Sequence, residues 1–343
     1  MKPERLFALM VTSVACACST TNADQTQTQM QAPTQPSDGG TTSGNSDTDK
    51  PSGTPDGSSQ GDSGTPIGVK GPVTIVTIVM ENHDYEEVVG SPDAPYINSL
   101  IASYGLATNY MDAGIHPSLP NYLTMISGAP QYPGIIDLNP NTFPFPVAQQ
   151  NLGTQLEAAG IEWRSYQESM PSPCTLGTAS PYGPKHDPFL YFTDMQKSTP
   201  GLCAKRNVAY TEFAADLAAG TYRYMWITPN LTNDGHDPSN DPVTGLKQTD
   251  AWAHTEVDKI LASPTYKSGG IIFLTWDEAE GRNGHSTDKI PMIVISPKIK
   301  SPGYTSSNAY SHKSYLATVE DLLGVPRLPT VASEPSMLEF FAP

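Results

Sequence analysis

Four stretches place chemically active side chains beside apolar runs. Glu81-Asn82-His83-Asp84 follows Val73–Met80, a continuous apolar and β-branched run. Thr228-Pro229-Asn230 and Asn233-Asp234-Gly235-His236-Asp237 follow Tyr222–Ile227. Asp277-Glu278 follows Gly270–Trp276, with Gly284-His285 shortly after. Carboxylates, amides and imidazoles collected from three strand ends are the donor set of a divalent cation. A single carboxylate after a strand is ordinarily a helix cap or a solvated loop group; three strand ends together point to a site. The fourth stretch, His116-Pro117-Ser118-Leu119-Pro120-Asn121-Tyr122, puts Ser118 just before a helical segment at Leu119–Ser127. Unpaired N–H groups and the positive dipole end there suit an anionic group such as phosphate. Alone, Ser118 reads as an N-cap; beside a cation its hydroxyl becomes a nucleophile at moderate pH. Residues 71–343 have no Gly-x-Ser-x-Gly segment, and the one at Gly57–Gly61 follows no strand signal, which argues against the lipase and esterase class.

The elements that must hold these residues alternate between strand and helix. Strands are predicted at Val73–Met80, Ile161–Tyr166, Tyr222–Ile227, Gly270–Trp276 and Met292–Ile295. Helices are predicted at Ala94–Tyr104, stopped by Gly105 as a C-terminal cap, and at Leu119–Ser127, Thr154–Ala159, about 247–262 and Lys313–Leu323. This order predicts an α/β domain, a three-layer α/β/α sandwich with a largely parallel central sheet. Ligands in such folds bind at the carboxyl ends of the strands, where the four stretches lie.

The chain has 343 residues and a formal net charge of −16, which argues against a nucleic-acid partner. Residues 1–18 carry +1 and 19–70 carry −4, which leaves −13 on 71–343. Lys2 and Arg5 followed by the short apolar stretch Leu6–Ala15 read as an export signal rather than a membrane span. Cys16 or Cys18 at its end resembles the lipid-attachment cysteine of bacterial lipoproteins; a plain cleaved signal is the alternative. The expectation is an exported protein of the bacterial cell envelope that meets the membrane only through an N-terminal lipid anchor. Residues 19–70, rich in Thr, Ser, Gly and Pro, bury too little apolar surface to fold and read as a disordered tether. Residues 71–343 read as one folded domain, and in an exported chain Cys174 and Cys203 are expected to pair.

Met80-Glu81-Asn82-His83, His116-Pro117-Ser118-Leu119-Pro120-Asn121-Tyr122, Lys185-His186-Asp187-Pro188-Phe189, Asn233-Asp234-Gly235-His236-Asp237 and Thr275-Trp276-Asp277-Glu278 together resemble the phosphoesterase family. That family holds acid phosphatases and bacterial phospholipases C within the alkaline phosphatase-like superfamily. The resemblance implies an alkaline phosphatase-like fold and metal-dependent hydrolysis of small phosphate esters through a phosphoserine intermediate on Ser118. It implies Glu81, Asn82, Ser118, Asp277, Glu278 and His285 as metal ligands, with Asn82, Lys185 and His186 on the substrate phosphate. Glu278 stands where the superfamily often has histidine, which favours an oxygen-rich site. His236 is the first candidate to protonate the leaving alcohol; His116 is the second, or a phosphate contact. The metal's identity stays open. Two alternatives remain: a phospholipase C-type phosphodiesterase, and a surface-tethered phospho-ligand binder without turnover. His83 and His254 read as surface or cap residues, while His312 reads equally as a helix-start, packing or catalytic residue.

Overall fold

The computed structural model describes residues 73–131, 137–144, 146–198, 201–236 and 242–342. The export signal, the lipid-attachment cysteines and the tether lie outside these residues. Ten strands run as β1 Ile75–Met80, β2 Gly105–Ala107, β3 Tyr110–Met111, β4 Trp163–Gln167, β5 Asn207–Ala209, β6 Tyr224–Thr228, β7 Ile271–Trp276, β8 Met292–Ile295, β9 Tyr304–Ser306 and β10 Tyr310–Ser311 among the described residues. The α-helices are α1 Tyr85–Val88, α2 Pro95–Ser103, α3 Ser118–Ser127, α4 Leu152–Ala158, α5 Leu202–Arg206, α6 Phe213–Ala219, α7 Pro242–Ala262, α8 Pro264–Lys267 and α9 His312–Leu323.

Eight strands form one sheet in the order β5-β4-β6-β1-β7-β8-β2-β9, and β10 pairs separately with β3. All neighbours in the large sheet are parallel except β8, which runs antiparallel to both β7 and β2. Every residue of β1, β6 and β7 is buried, as the unbroken apolar runs predict for strands covered on both faces. Alternate residues of β1 show what covers each face. On one, Tyr315 of α9 bonds Thr77 Oγ1 at 2.6 Å and the Tyr224 hydroxyl at 2.9 Å. On the other, Val76 and Ile272 share a small internal space with Ile260 of α7 and Tyr266 of α8. The result is a three-layer sandwich with a mostly parallel sheet.

Cys174 and Cys203 form a disulfide, with Cα atoms 5.4 Å apart. Gly105 has a different job from the predicted one: it is not a left-handed cap but the first residue of β2. A Cβ there would lie 2.7 Å from Phe340 Cδ1 and 2.9 Å from Ile299 Cδ1, so close packing demands the glycine. Gly128 does end α3 as a left-handed cap, at φ 68°.

Candidate functional site

The three central strands β6, β1 and β7 deliver their trailing residues side by side, because backbone pairing continues past the strand ends. Asp277 N–H donates to the Met80 carbonyl at 3.0 Å, and Glu81 N–H donates to the Asp234 carbonyl at 2.8 Å. Glu81, Asp234, Asp277 and Glu278 are all buried. Ser118, the first residue of α3, is buried against them. Its hydroxyl lies within donating distance of Glu278 Oε1 at 2.9 Å and Glu81 Oε2 at 3.2 Å. The loop before Ser118 is held by Asn121. Its Oδ1 accepts from Ala113 N–H at 2.8 Å, and its Nδ2 donates to the Ile115 carbonyl at 2.8 Å and to Glu278 Oε2 at 3.3 Å.

Such a set of buried carboxylates cannot all stay charged unaided. Burial pushes Glu81 up to about 8, against the lowering effect of Lys185. Burial pushes Glu278 up to about 7, against the hydrogen bond from Ser118. Burial, then the Glu81 charge, holds Asp277 well above the usual carboxylate range. Asn82 Oδ1 and Asp277 Oδ2 are buried and accept no hydrogen bond among the described residues. Glu81 Oε1 faces His186 Nε2 at 3.2 Å without a formed hydrogen bond. Unpaired oxygens on crowded acids fit a divalent cation, which would neutralise and coordinate them at once.

The expected histidines divide. His236 stands half-exposed at the rim, its Nδ1 3.7 Å from Glu81 Oε2, and burial lowers its pKa. His116 sets Nδ1 2.5 Å from Glu278 Oε2, beside the nucleophile candidate. His186 is buried beneath Glu81, stacked on Tyr122 with ring centroids 5.3 Å apart, and its Nδ1 faces Asp234 Oδ2 at 3.7 Å. Burial, then the Lys185 charge, keeps it well below the usual histidine range. Lys185 pairs with Asp137, whose Oδ1 also accepts Leu119 N–H at the start of α3. His285 Nδ1 contacts Asp84 Oδ2 at 3.1 Å, and with Glu87 the two form a group of possible metal-ligating atoms. Asp84 draws it there because that carboxylate already anchors the 280–282 loop through three N–H groups.

His83 is a correction to the sequence reading. It is buried rather than on the surface, and its Nδ1 contacts Glu87 Oε2 at 3.1 Å. His254 is exposed as expected and stacks on Tyr96. His312 is buried, with Nε2 2.6 Å from the Asp277 carbonyl and Nδ1 3.1 Å from the Tyr110 hydroxyl. Sequence reasoning passed over Asp234, Asn121 and Glu280. Asp234 and Asn121 lay within the quoted motifs but carried no assigned role. Nothing local marks Glu280.

Known proteins resemble this chain in sequence and in fold. A phosphatidylinositol-3-phosphatase of Mycobacterium tuberculosis is 28% identical over 270 residues, covering 78% of this chain and 82% of that protein. An acid phosphatase of Aspergillus fumigatus is 28% identical over 260 residues, covering 73% of this chain and 54% of the fungal protein. A crystal structure of an alkaline phosphatase superfamily protein from Vibrio parahaemolyticus shares the fold, with a TM-score of 0.54 at 15% identity, covering 77% of this chain and 69% of that one. The phosphoesterase family profile matches residues 91–326, taking in Ser118 and the Asp277-Glu278 strand end. The chain therefore belongs to the phosphoesterase family, a hydrolase acting on phosphoric ester bonds.

Proposed function

We propose that this chain is a divalent-cation-dependent phosphomonoesterase working through a phosphoserine on Ser118. The observation that carries the proposal is the Ser118 hydroxyl set against Glu278 and Glu81, within a group of buried acids that leaves Asn82 Oδ1 and Asp277 Oδ2 unpaired. Glu81, Asn82, Asp277 and Glu278, with the Ser118 oxygen, would hold the cation. When bound, it supplies positive charge for the phosphate oxygens and for the attacking oxygen.

The chain's own residues carry the rest. The Ser118 proton passes to Glu278 Oε1, and the freed oxygen attacks phosphorus in line. The Oγ–P bond forms as the ester P–O bond breaks. His236 gives its proton to the departing alcohol, then takes one from the water that attacks the phosphoserine; the Oγ–P bond breaks, Glu278 returns its proton to Ser118 Oγ, and phosphate leaves. Lys185 and the positive dipole end of α3 favour the bound anion. His116 steadies Glu278 through their 2.5 Å contact.

A phosphatidylinositol-3-phosphatase and an acid phosphatase among the relatives support a monoester rather than a diester substrate. The disulfide supports a place in an oxidising compartment, in keeping with export to the cell envelope. The test is turnover of p-nitrophenyl phosphate and of a choline phospholipid before and after exhaustive chelation, with metal analysis of each sample. Loss of monoesterase activity on chelation and its return with added cation is the expected result. Full activity in a sample free of metal sinks the cation, and preferential phospholipid cleavage sinks the monoester assignment.

The acid role of His236 makes a separate prediction. His236 also serves the later attack of water, which is common to all substrates. In the pre-steady-state formation of the phosphoserine, however, His236→Asn should cost little on p-nitrophenyl phosphate, whose leaving group needs no proton. It should cost about 100-fold or more on an alkyl phosphate, whose leaving group does. Equal losses on both substrates would remove His236 from that role.

A further inference from the structure

Asn82 occupies a left-handed backbone conformation, φ 45°, which asparagine adopts more readily than most non-glycine residues. Three of its four polar atoms are tied. The N–H donates to Asp277 Oδ1 at 3.1 Å, the carbonyl accepts from Arg282 Nη1 at 3.0 Å, and side-chain Nδ2 donates to Glu280 Oε1 at 2.9 Å. The fourth, Oδ1, is the buried oxygen without a hydrogen bond among the described residues. Glu280 Oε2 is held in turn by Arg282 Nη2 at 2.6 Å. The 280–282 backbone is fastened to Asp84, whose oxygens accept the N–H groups of Glu280, Gly281 and Arg282 at 2.7, 2.9 and 2.7 Å.

An ionised carboxylate only accepts hydrogen bonds, so Glu280 can face only the NH2 end of the Asn82 amide. The reversed amide would set oxygen against oxygen at Glu280 and turn NH2 inward, where it could not ligate a cation. We propose that Glu280, braced by Arg282, is a positioning residue that selects the oxygen face of Asn82 for the cation site. Glu280 is exposed on its loop and acts through Asn82 rather than on substrate. The inference rests on the cation-binding reading of Glu81, Asn82, Asp277 and Glu278.

The test is calorimetric titration of Mn2+ into the full chain stripped of metal, for wild type, Glu280→Ala, Glu280→Gln, Asn82→Ala and the Asn82→Ala/Glu280→Ala double variant. Glu280→Ala should weaken Mn2+ binding about 10-fold or more, the usual scale for a partner that orients a ligand. Glu280→Gln, which keeps an acceptor oxygen for Asn82 Nδ2, should recover part of that loss. In the Asn82→Ala background, Glu280→Ala should change Mn2+ affinity no further. Only variants whose melting temperature shows them folded at the titration temperature enter the cycle. Wild-type affinity in Glu280→Ala, or an equal loss with and without Asn82, overturns the inference while leaving the cation reading standing. A wild-type chain that binds no Mn2+, Zn2+, Ca2+ or Mg2+ overturns both.

Discussion

Ser118→Ala should lower phosphomonoester turnover about a thousand-fold or more, the scale seen when a covalent nucleophile is removed. The substitution takes away one buried oxygen and two acceptor contacts, to Glu278 at 2.9 Å and Glu81 at 3.2 Å. Both acceptors are carboxylates, and neither is left as an unpaired donor. Glu278 keeps His116 and Asn121 on its other oxygen. The fold should therefore survive, since a net hydrogen bond is worth about 1 kcal/mol and α3 is buried along its whole length. Rapid quench of wild type during turnover should show phosphate bound covalently at residue 118, absent in the variant. Near-normal turnover by Ser118→Ala would end the nucleophile assignment, and label at another residue would redirect it.

Asp277→Asn should weaken cation binding by about 100-fold, at the upper end of losses for groups that only orient ligands. The change is nearly isosteric. Asn Oδ1 can still accept from Asn82 N–H, a contact of 3.1 Å in the native chain. What is lost is the charge on Oδ2, the oxygen that finds no hydrogen bond among the described residues. Without cation, the variant should be at least as stable as wild type, because it removes a carboxyl whose charged form burial, then Glu81, disfavours. A Mn2+ titration unchanged from wild type would take Asp277 out of the ligand set.

The same acids fix a pH dependence. Burial raises Glu81 to about 8 and Glu278 to about 7, so the folded, cation-free chain holds protons that the unfolded chain has already released above about pH 4.5. Raised carboxylate pKa values stabilise the fold at low pH, and that contribution fades as pH climbs toward 8. A cation needs the deprotonated ligands, so its binding strengthens over the same window. The gap in melting temperature between Mn2+-loaded and cation-free chain should widen steadily from about pH 5 to about pH 8. A constant gap would contradict the assigned ligands.

The long central strands were legible because burial on both faces leaves an unbroken apolar run. Met292–Ile295 appears as predicted, and Gly270–Trp276 differs from β7 by one residue. The three-residue strands β2, β5 and β9 were not legible. Such short segments are strands only because a neighbour pairs with them. The predicted cap at Gly105 failed for a related reason: Phe340 and Ile299, far along the chain, require that glycine. In the site, Glu81, Asp277 and Glu278 were readable because they follow directly from recognisable strands. Glu280 was not, since its partner Asn82 lies 198 residues away and only loop closure joins them. His83 was misplaced because burial of an imidazole depends on packing that its neighbours in sequence do not reveal.

Backbone pairing beyond the strand ends, Met80 with Asp277 and Glu81 with Asp234, makes the sheet a ruler. The spacing of the acids is set by peptide groups, which are the same in every sequence, rather than by the packing of particular side chains. Covering helices and outer loops can therefore drift while the donor spacing stays constant. Tolerance of that kind is consistent with relatives that retain only 28% identity across most of this domain. It also tells an engineer where to work: loops at the sheet's margins can be exchanged to alter which ester enters, whereas an insertion between Met80 and Glu81, or between Trp276 and Asp277, would break the gauge itself.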